Sequence, residues 1–258
     1  MPIATVAVDL AKNVFELAAA DESGKIVERK RLTRLQFGRY FENRPSAHVV
    51  MEACGTAHHW ARRLGERGMR VSLLPPHYVR AYVRRNKTDS ADATALLEAA
   101  RASDITPVRV KSTEQQGLQG LHRIRSAWRA SRTARINTLR GLCREFGIVA
   151  PLGGKRGLAE LRRQLAKDDA GVPAFLCATM QQVMEELRAL DERLLEVEAQ
   201  LGEIAKHSAI CQRLQTIPGI GLIASTAFAG AVGDIGTFRS PRRFASWLGL
   251  TPREYSSG

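Results

Sequence analysis

Cysteine is scarce in this 258-residue sequence, and the four present, Cys54, Cys143, Cys177 and Cys211, lie far apart with no C-x-x-C pair. That spacing excludes a disulfide framework and a cysteine zinc site, and leaves reduced core thiols of a cytosolic protein as the expectation. Long apolar runs are missing too. The best candidate, Leu222 to Val232, stops well short of the ~20 residues a membrane span needs, so no membrane association is expected. The N-terminus has no basic stretch followed by an apolar one, because Asp9 interrupts the first hydrophobic run, so a secretory leader is not expected either. Acidic residues are outnumbered: Asp+Glu total 26 against Lys+Arg 39, for a net charge of +13. An excess of that size points to a polyanionic partner. With 44% hydrophobic residues the chain can bury a core, which excludes intrinsic disorder.

The first hundred residues alternate strand and helix patterns. Ile3 to Asp9 and Val14 to Ala19 are strand-like, and Gly24 turns the chain into Lys25 to Arg31, which predicts an antiparallel meander. Ala47 to Glu52, the helical Trp60 to Arg67 and Met69 to Leu74 then read as a parallel crossover. The expectation is α/β followed by all-α. A mixed-sheet domain over residues 1–104 precedes long helices over 105–207, and a helical C-terminal unit occupies 208–258.

Between Gln115 and Arg144 there is no acidic residue, while Arg123, Arg125, Arg129, Arg132 and Arg135 recur beside Leu118, Leu121, Trp128, Ile136 and Leu139. This is a basic amphipathic helix. It either meets nucleic acid, the expectation the net charge favours, or packs against acidic neighbours elsewhere in the chain. A second long helix carries Met180, Val183, Leu187, Leu190, Leu194, Val197, Leu201 and Ile204, spaced three and four in alternation, with Glu185, Glu186, Asp191, Glu192, Glu196 and Glu198 beside them. Such a stripe is a coiled-coil seam. It suits the basic helix or a second copy of the chain equally, and the expectation taken forward is a seam between subunits. Near the C-terminus, Pro218, Gly219 and Gly221 separate two apolar helical stretches, the sequence of a helix-hairpin-helix element. Glycines there let backbone amides approach a phosphate, and Arg242 and Arg243 follow nearby, although a lone P-G-I-G is by itself an ordinary tight turn.

Four carboxylates stand where a metal-dependent nuclease needs them. Asp9 ends the first strand and Glu52 a later one, and Asp89 and Asp92 are three apart on one helix face. Hard divalent cations prefer several oxygen ligands, which such a set supplies. Singly, each has a duller role as a helix cap or a solvated strand end. In this order they resemble the RNase H-like fold of RuvC-type nucleases. His58 and His59 point about 100° apart on a helix and are expected to pack rather than share a metal.

The segments Val8-Asp-Leu-Ala-Lys-Asn-Val-Phe15, Met51-Glu-Ala-Cys-Gly-Thr56, Arg85-Asn-Lys-Thr-Asp-Ser-Ala-Asp92, Ile217-Pro-Gly-Ile-Gly221 and Leu248-Gly-Leu-Thr-Pro-Arg-Glu-Tyr-Ser-Ser-Gly258 extend the likeness across the whole chain. Together they resemble the transposases of the insertion sequence one-ten family, nearest its eleven-eleven subgroup. The resemblance implies a RuvC-like domain whose DEDD set is Asp9, Glu52, Asp89 and Asp92, holding Mg²⁺. It also implies a coiled-coil linker and a C-terminal transposase domain whose serine nucleophile maps onto Ser257, with Ser256 the near miss. Further implications are a homo-oligomer, dimer or tetramer, acting on donor and target DNA through an element-encoded guide RNA and a covalent phosphoserine, in a bacterial cytoplasm at the nucleoid. Family members continue past the serine, so this chain alone is expected to bind nucleic acid but recombine poorly. The competing expectations are a Mg²⁺-dependent nuclease using water at the same carboxylates, and a non-catalytic nucleic-acid-binding fragment.

Overall fold

The computed structural model describes residues 3–82, 89–102, 105–151, 153–167, 171–232 and 235–250, within two compact units that meet between Ser112 and Thr113.

In the first unit, β1 (Thr5–Leu10), β2 (Val14–Ala20) and β3 (Ile26–Thr33) form the expected antiparallel meander, and Gly24, at φ 84°, makes the turn into β3. After α1 (Arg34–Tyr40) the chain enters β4 (His48–Glu52), crosses through α2 (Ala57–Gly65) and returns in β5 (Arg70–Leu74). Both crossover strands are parallel, β4 beside β1 and β5 beside β4, so the five-stranded mixed sheet has the order β3-β2-β1-β4-β5. A short α3 (Pro76–Val79) and then α4 (Asp89–Ala99) follow.

Strand alternation divides the core into two layers. Val8, Phe15, Leu17, Val49 and Met51 face α1 and α2, where Phe15, Phe37 and Trp60 pack edge to face, with Phe37 centred 4.8 Å from each of the other two rings. Ala7, Ala18, Ala20 and Val50 face the other way, against Ala93, Leu96 and Leu97 of α4. The alanines on that side leave room for the helix to lie close to the sheet.

The compact unit extends past the expected boundary at residue 104. Val108 donates its N–H to Leu73 O at 2.7 Å, Arg62 Nη1 donates to Lys111 O at 2.6 Å, and the Lys111 N–H donates to His58 Nδ1 at 3.2 Å. These bonds fasten a segment that reads as linker in the sequence. Burial, reinforced by the nearby Lys111 and Arg62 charges, lowers the His58 pKa from 6.5 to about 4. The folded chain therefore holds His58 neutral where an unfolded chain protonates it. The stability due to this group is complete above pH 6.5 and declines as pH falls from 6.5 toward 4. His58→Gln is expected to flatten that part of a denaturation-versus-pH profile.

The second unit is helical: α5 (Thr113–Glu145), α6 (Gly154–Leu165), α7 (Ala174–Lys206), α8 (Ala209–Gln215), α9 (Leu222–Val232) and α10 (Pro241–Trp247). The basic helix and the striped helix are α5 and α7, 33 residues each, and they pack on one another. Arg125 reaches Glu198 at 2.7 Å, Arg135 reaches Glu186 at 2.6 Å, and Arg132 pairs with Asp191 between them, so the helices run antiparallel. Met180 and Leu187 pack with Ile136, Leu139 and Cys143 of α5 and Leu161 of α6, while Val197 and Leu201 pack with Leu118.

One expectation is corrected here. The seam forms within one chain, because α5 offers α7 an apolar stripe flanked by complementary charge. Arg125, Arg132 and Arg135 are ion-paired to that partner helix, whereas Arg123 and Arg129 are exposed. A double-mutant cycle on Arg132→Ala and Asp191→Ala is expected to give a coupling of about 0.5–1 kcal/mol that shrinks with salt, since both side chains are partly exposed.

Cys143 and Cys211 are buried and all four cysteines are free. Among the described residues no helix is long and apolar enough to cross a membrane.

Candidate active site

The sheet register brings the strand-end carboxylates together. β1 and β4 run parallel with Val8 opposite Met51, so Asp9 and Glu52 are the next residues on neighbouring strands. Each lies two positions beyond a residue that faces α4, Ala7 and Val50, and so shares their face. α4 packs on that face and carries Asp92 in its first turn. Asp92 Oδ1 is buried and has no hydrogen-bond partner among the described residues. A carboxylate oxygen in that state is costly unless something charged or protic comes to it, which suits a cation ligand. Asp89 opens the same helix, but its side chain lies outside the described residues. Among the described residues no three His, Cys, Asp or Glu groups are grouped closely enough to hold a metal ion.

Two neighbours of the site were missed from the sequence. Glu16 stands directly opposite Asp9 on β2 and bonds Arg31 at 3.3 Å. The signal was available, since a hairpin centred on Lys12 and Asn13 pairs Asp9 with Glu16. Cys54 is half-buried just beyond Glu52. Burial pushes its thiol pKa up and the nearby Glu52 and Asp9 charges add to the shift, while backbone hydrogen bonds from Thr56 and Ala57 act against it. A thiol held protonated there is no nucleophile at neutral pH. A cavity of about 230 Å³, lined by Thr5, Asp21, His48, Thr94 and Arg101, lies at the opposite end of the strands and shares no residue with the carboxylates.

In the second unit, Gly219 adopts φ 88° in the turn joining α8 to α9, and Gly221 immediately precedes α9. Arg242 and Arg243 are exposed in the first turn of α10, whose start Ser240 caps by accepting from the Arg243 N–H. Ser256 and Ser257 lie outside the described residues.

Two family models match the chain, both of transposases: one carrying the DEDD designation over residues 6–148, the other over residues 211–258. Relatives of full-chain extent agree. A probable family 20 transposase of Pseudomonas aeruginosa is 40% identical across the whole chain, which covers 77% of that protein. The transposase for insertion sequence element IS1111A of Coxiella burnetii is 38% identical over 99% of the chain and 70% of its own length. The transposase for insertion sequence element IS1328 of Yersinia enterocolitica is 34% identical over the whole chain and 77% of its own length. The chain belongs to the IS116/IS110/IS902 family of transposases.

Proposed function

We propose that this chain is the DNA-recombining enzyme of a bacterial insertion sequence, working through a RuvC-like carboxylate site and a serine nucleophile. The observation that supports the reading is the register that sets Asp9 and Glu52 side by side on neighbouring strands, on the sheet face covered by α4, where Asp92 Oδ1 is buried without a hydrogen-bond partner among the described residues. The strand order, with an antiparallel meander leading into a parallel crossover, supports the RuvC-like reading.

Asp9, Glu52, Asp89 and Asp92 are the residues that would hold Mg²⁺. When bound, it would neutralise phosphate charge and favour the ionised form of an attacking hydroxyl. Ser257 Oγ then bonds to phosphorus, the bond to the departing strand oxygen breaks, and the serine proton leaves as that oxygen gains one. The phosphodiester energy is kept in the phosphoserine, so a strand hydroxyl reverses the step and rejoins DNA without ATP. An element-encoded RNA selects donor and target, and the chain acts as a homo-oligomer. With three of the α5 arginines paired to α7, the phosphate contacts fall to Arg123, Arg129, Arg242 and Arg243, with the backbone amides around Gly219 and Gly221.

The test is a covalent protein–DNA adduct. With element DNA, its flanking transcript and Mg²⁺, a protein extended to the length of its relatives is expected to give an adduct mapping to Ser257, lost in Ser257→Ala and retained in Ser256→Ala. Mg²⁺-dependent cleavage without an adduct would favour hydrolysis by water at the same carboxylates. Binding without scission would favour a non-catalytic fragment.

A further inference from the structure

The register places a fourth charge in line with the carboxylates. Glu16 pairs with Asp9 across β1 and β2, and Arg31 pairs with Glu16 across β2 and β3. Residues directly opposite in a sheet point to the same face, so Glu52, Asp9, Glu16 and Arg31 form one lateral row over four strands. Arg29, two residues before Arg31, donates from Nη2 to Thr94 Oγ1 of α4 at 3.0 Å, which places this side of β3 on the α4 face as well. Opposite side chains sit with Cβ atoms about 5 Å apart, and like charges so placed destabilise a sheet. Glu16 therefore adds negative charge within reach of any cation held by Asp9. Among the described residues its counter-charge is Arg31, through Arg31 Nε to Glu16 Oε1 at 3.3 Å. The two ends of that pair differ. The Glu16 side chain is 20% exposed and Arg31 70%, so the carboxylate is held close to the sheet while the guanidinium stands largely in solvent.

We propose that Glu16 is a positioning residue of the transposase site, acting through Asp9, and that the Glu16–Arg31 pair sets how tightly the carboxylates take a divalent cation. This rests on the reading of Asp9, Glu52, Asp89 and Asp92 as metal ligands. Glu16 raises the negative potential at the cation's position and Arg31 lowers it. A cross-strand ion pair that only braced the sheet would behave differently, because losing either partner would then have the same effect.

The experiment is a titration of Mn²⁺ against the full chain at fixed ionic strength, with thermal melting measured in parallel. Glu16→Gln is expected to weaken Mn²⁺ binding about 3- to 10-fold and Arg31→Gln to strengthen it by a similar factor, as expected for one unit charge several ångströms away in a partly wet site. The double variant should fall near wild type, because two opposite charges are removed together. The charge-keeping variants Glu16→Asp and Arg31→Lys should stay within about twofold of wild type, and they keep the test open if either glutamine variant folds poorly. Asp9→Asn separates the two levels of the argument. If it leaves Mn²⁺ binding intact, the ligand reading itself fails. If it removes binding while Glu16→Gln and Arg31→Gln leave affinity unchanged, or move it in the same direction, the tuning role is overturned.

Discussion

Asp9→Asn is expected to lower Mg²⁺-dependent strand exchange by at least about 10³-fold, a loss of about 4 kcal/mol of transition-state stabilisation, with little change in melting temperature. The size follows from the position. Asp9 sits beside Glu52 on the central strand pair, where on the proposed reading its carboxylate would hold a cation that offsets charge building on the phosphate. The small effect on stability follows because β1 is held by ladders to both β2 and β4 and by apolar packing of Val6, Ala7 and Val8, none of which involves the Asp9 charge. Glu52→Gln should behave alike. A strand-exchange assay on the folded variants checks both, and a variant with near-normal rate would remove that carboxylate from the site.

Leu187→Asp is expected to destabilise the helical unit by about 4 kcal/mol or more, seen as an early loss of helical circular dichroism in a denaturant titration. Leu187 is fully buried among Leu139, Leu161 and Met184, where a carboxylate finds neither water nor a partner. Ile204 lies on the same stripe but is 39% exposed, and Ile204→Asp should cost less than about 1 kcal/mol. Because α5 and α6 cover this part of the stripe within one chain, the larger effect is on folding rather than on association. Dissociation of an oligomer with the monomer still fully folded would contradict the intramolecular seam.

The sheet was legible because its signals are local. β-branched runs and Gly24 at the turn each act on their own segment. The strand-end positions of Asp9 and Glu52 came with it. Glu16 did not, because a glutamate inside an apolar strand gains meaning only when the hairpin register sets it opposite Asp9. The ion pairs of the α5 arginines were hidden for the opposite reason, since composition registers a charge and not its partner. The partners were spaced to match: seven residues separate Arg125 from Arg132, and seven separate Glu198 from Asp191 in the reverse direction. That mirrored spacing becomes a signal once the helices are taken as an antiparallel pair. Residues 105–112 read as linker because their core-packed side chains, Ile105, Val108 and Val110, are too few to spell an element, and the hydrogen bonds of their backbone to Leu73, His58 and Arg62 leave no sequence signal.

The carboxylates at the ends of β1 and β4 and at the start of α4 are expected to form one divalent-cation site. Anomalous diffraction from crystals of the chain grown with Mn²⁺ tests it most directly. A single region of anomalous density is expected against carboxylate oxygens of Asp9, Glu52 and Asp92, at about 2.0–2.3 Å as hard cations require. Well-ordered Asp9, Glu52 and Asp92 with no density between them, or Mn²⁺ bound only elsewhere on the chain, would contradict it.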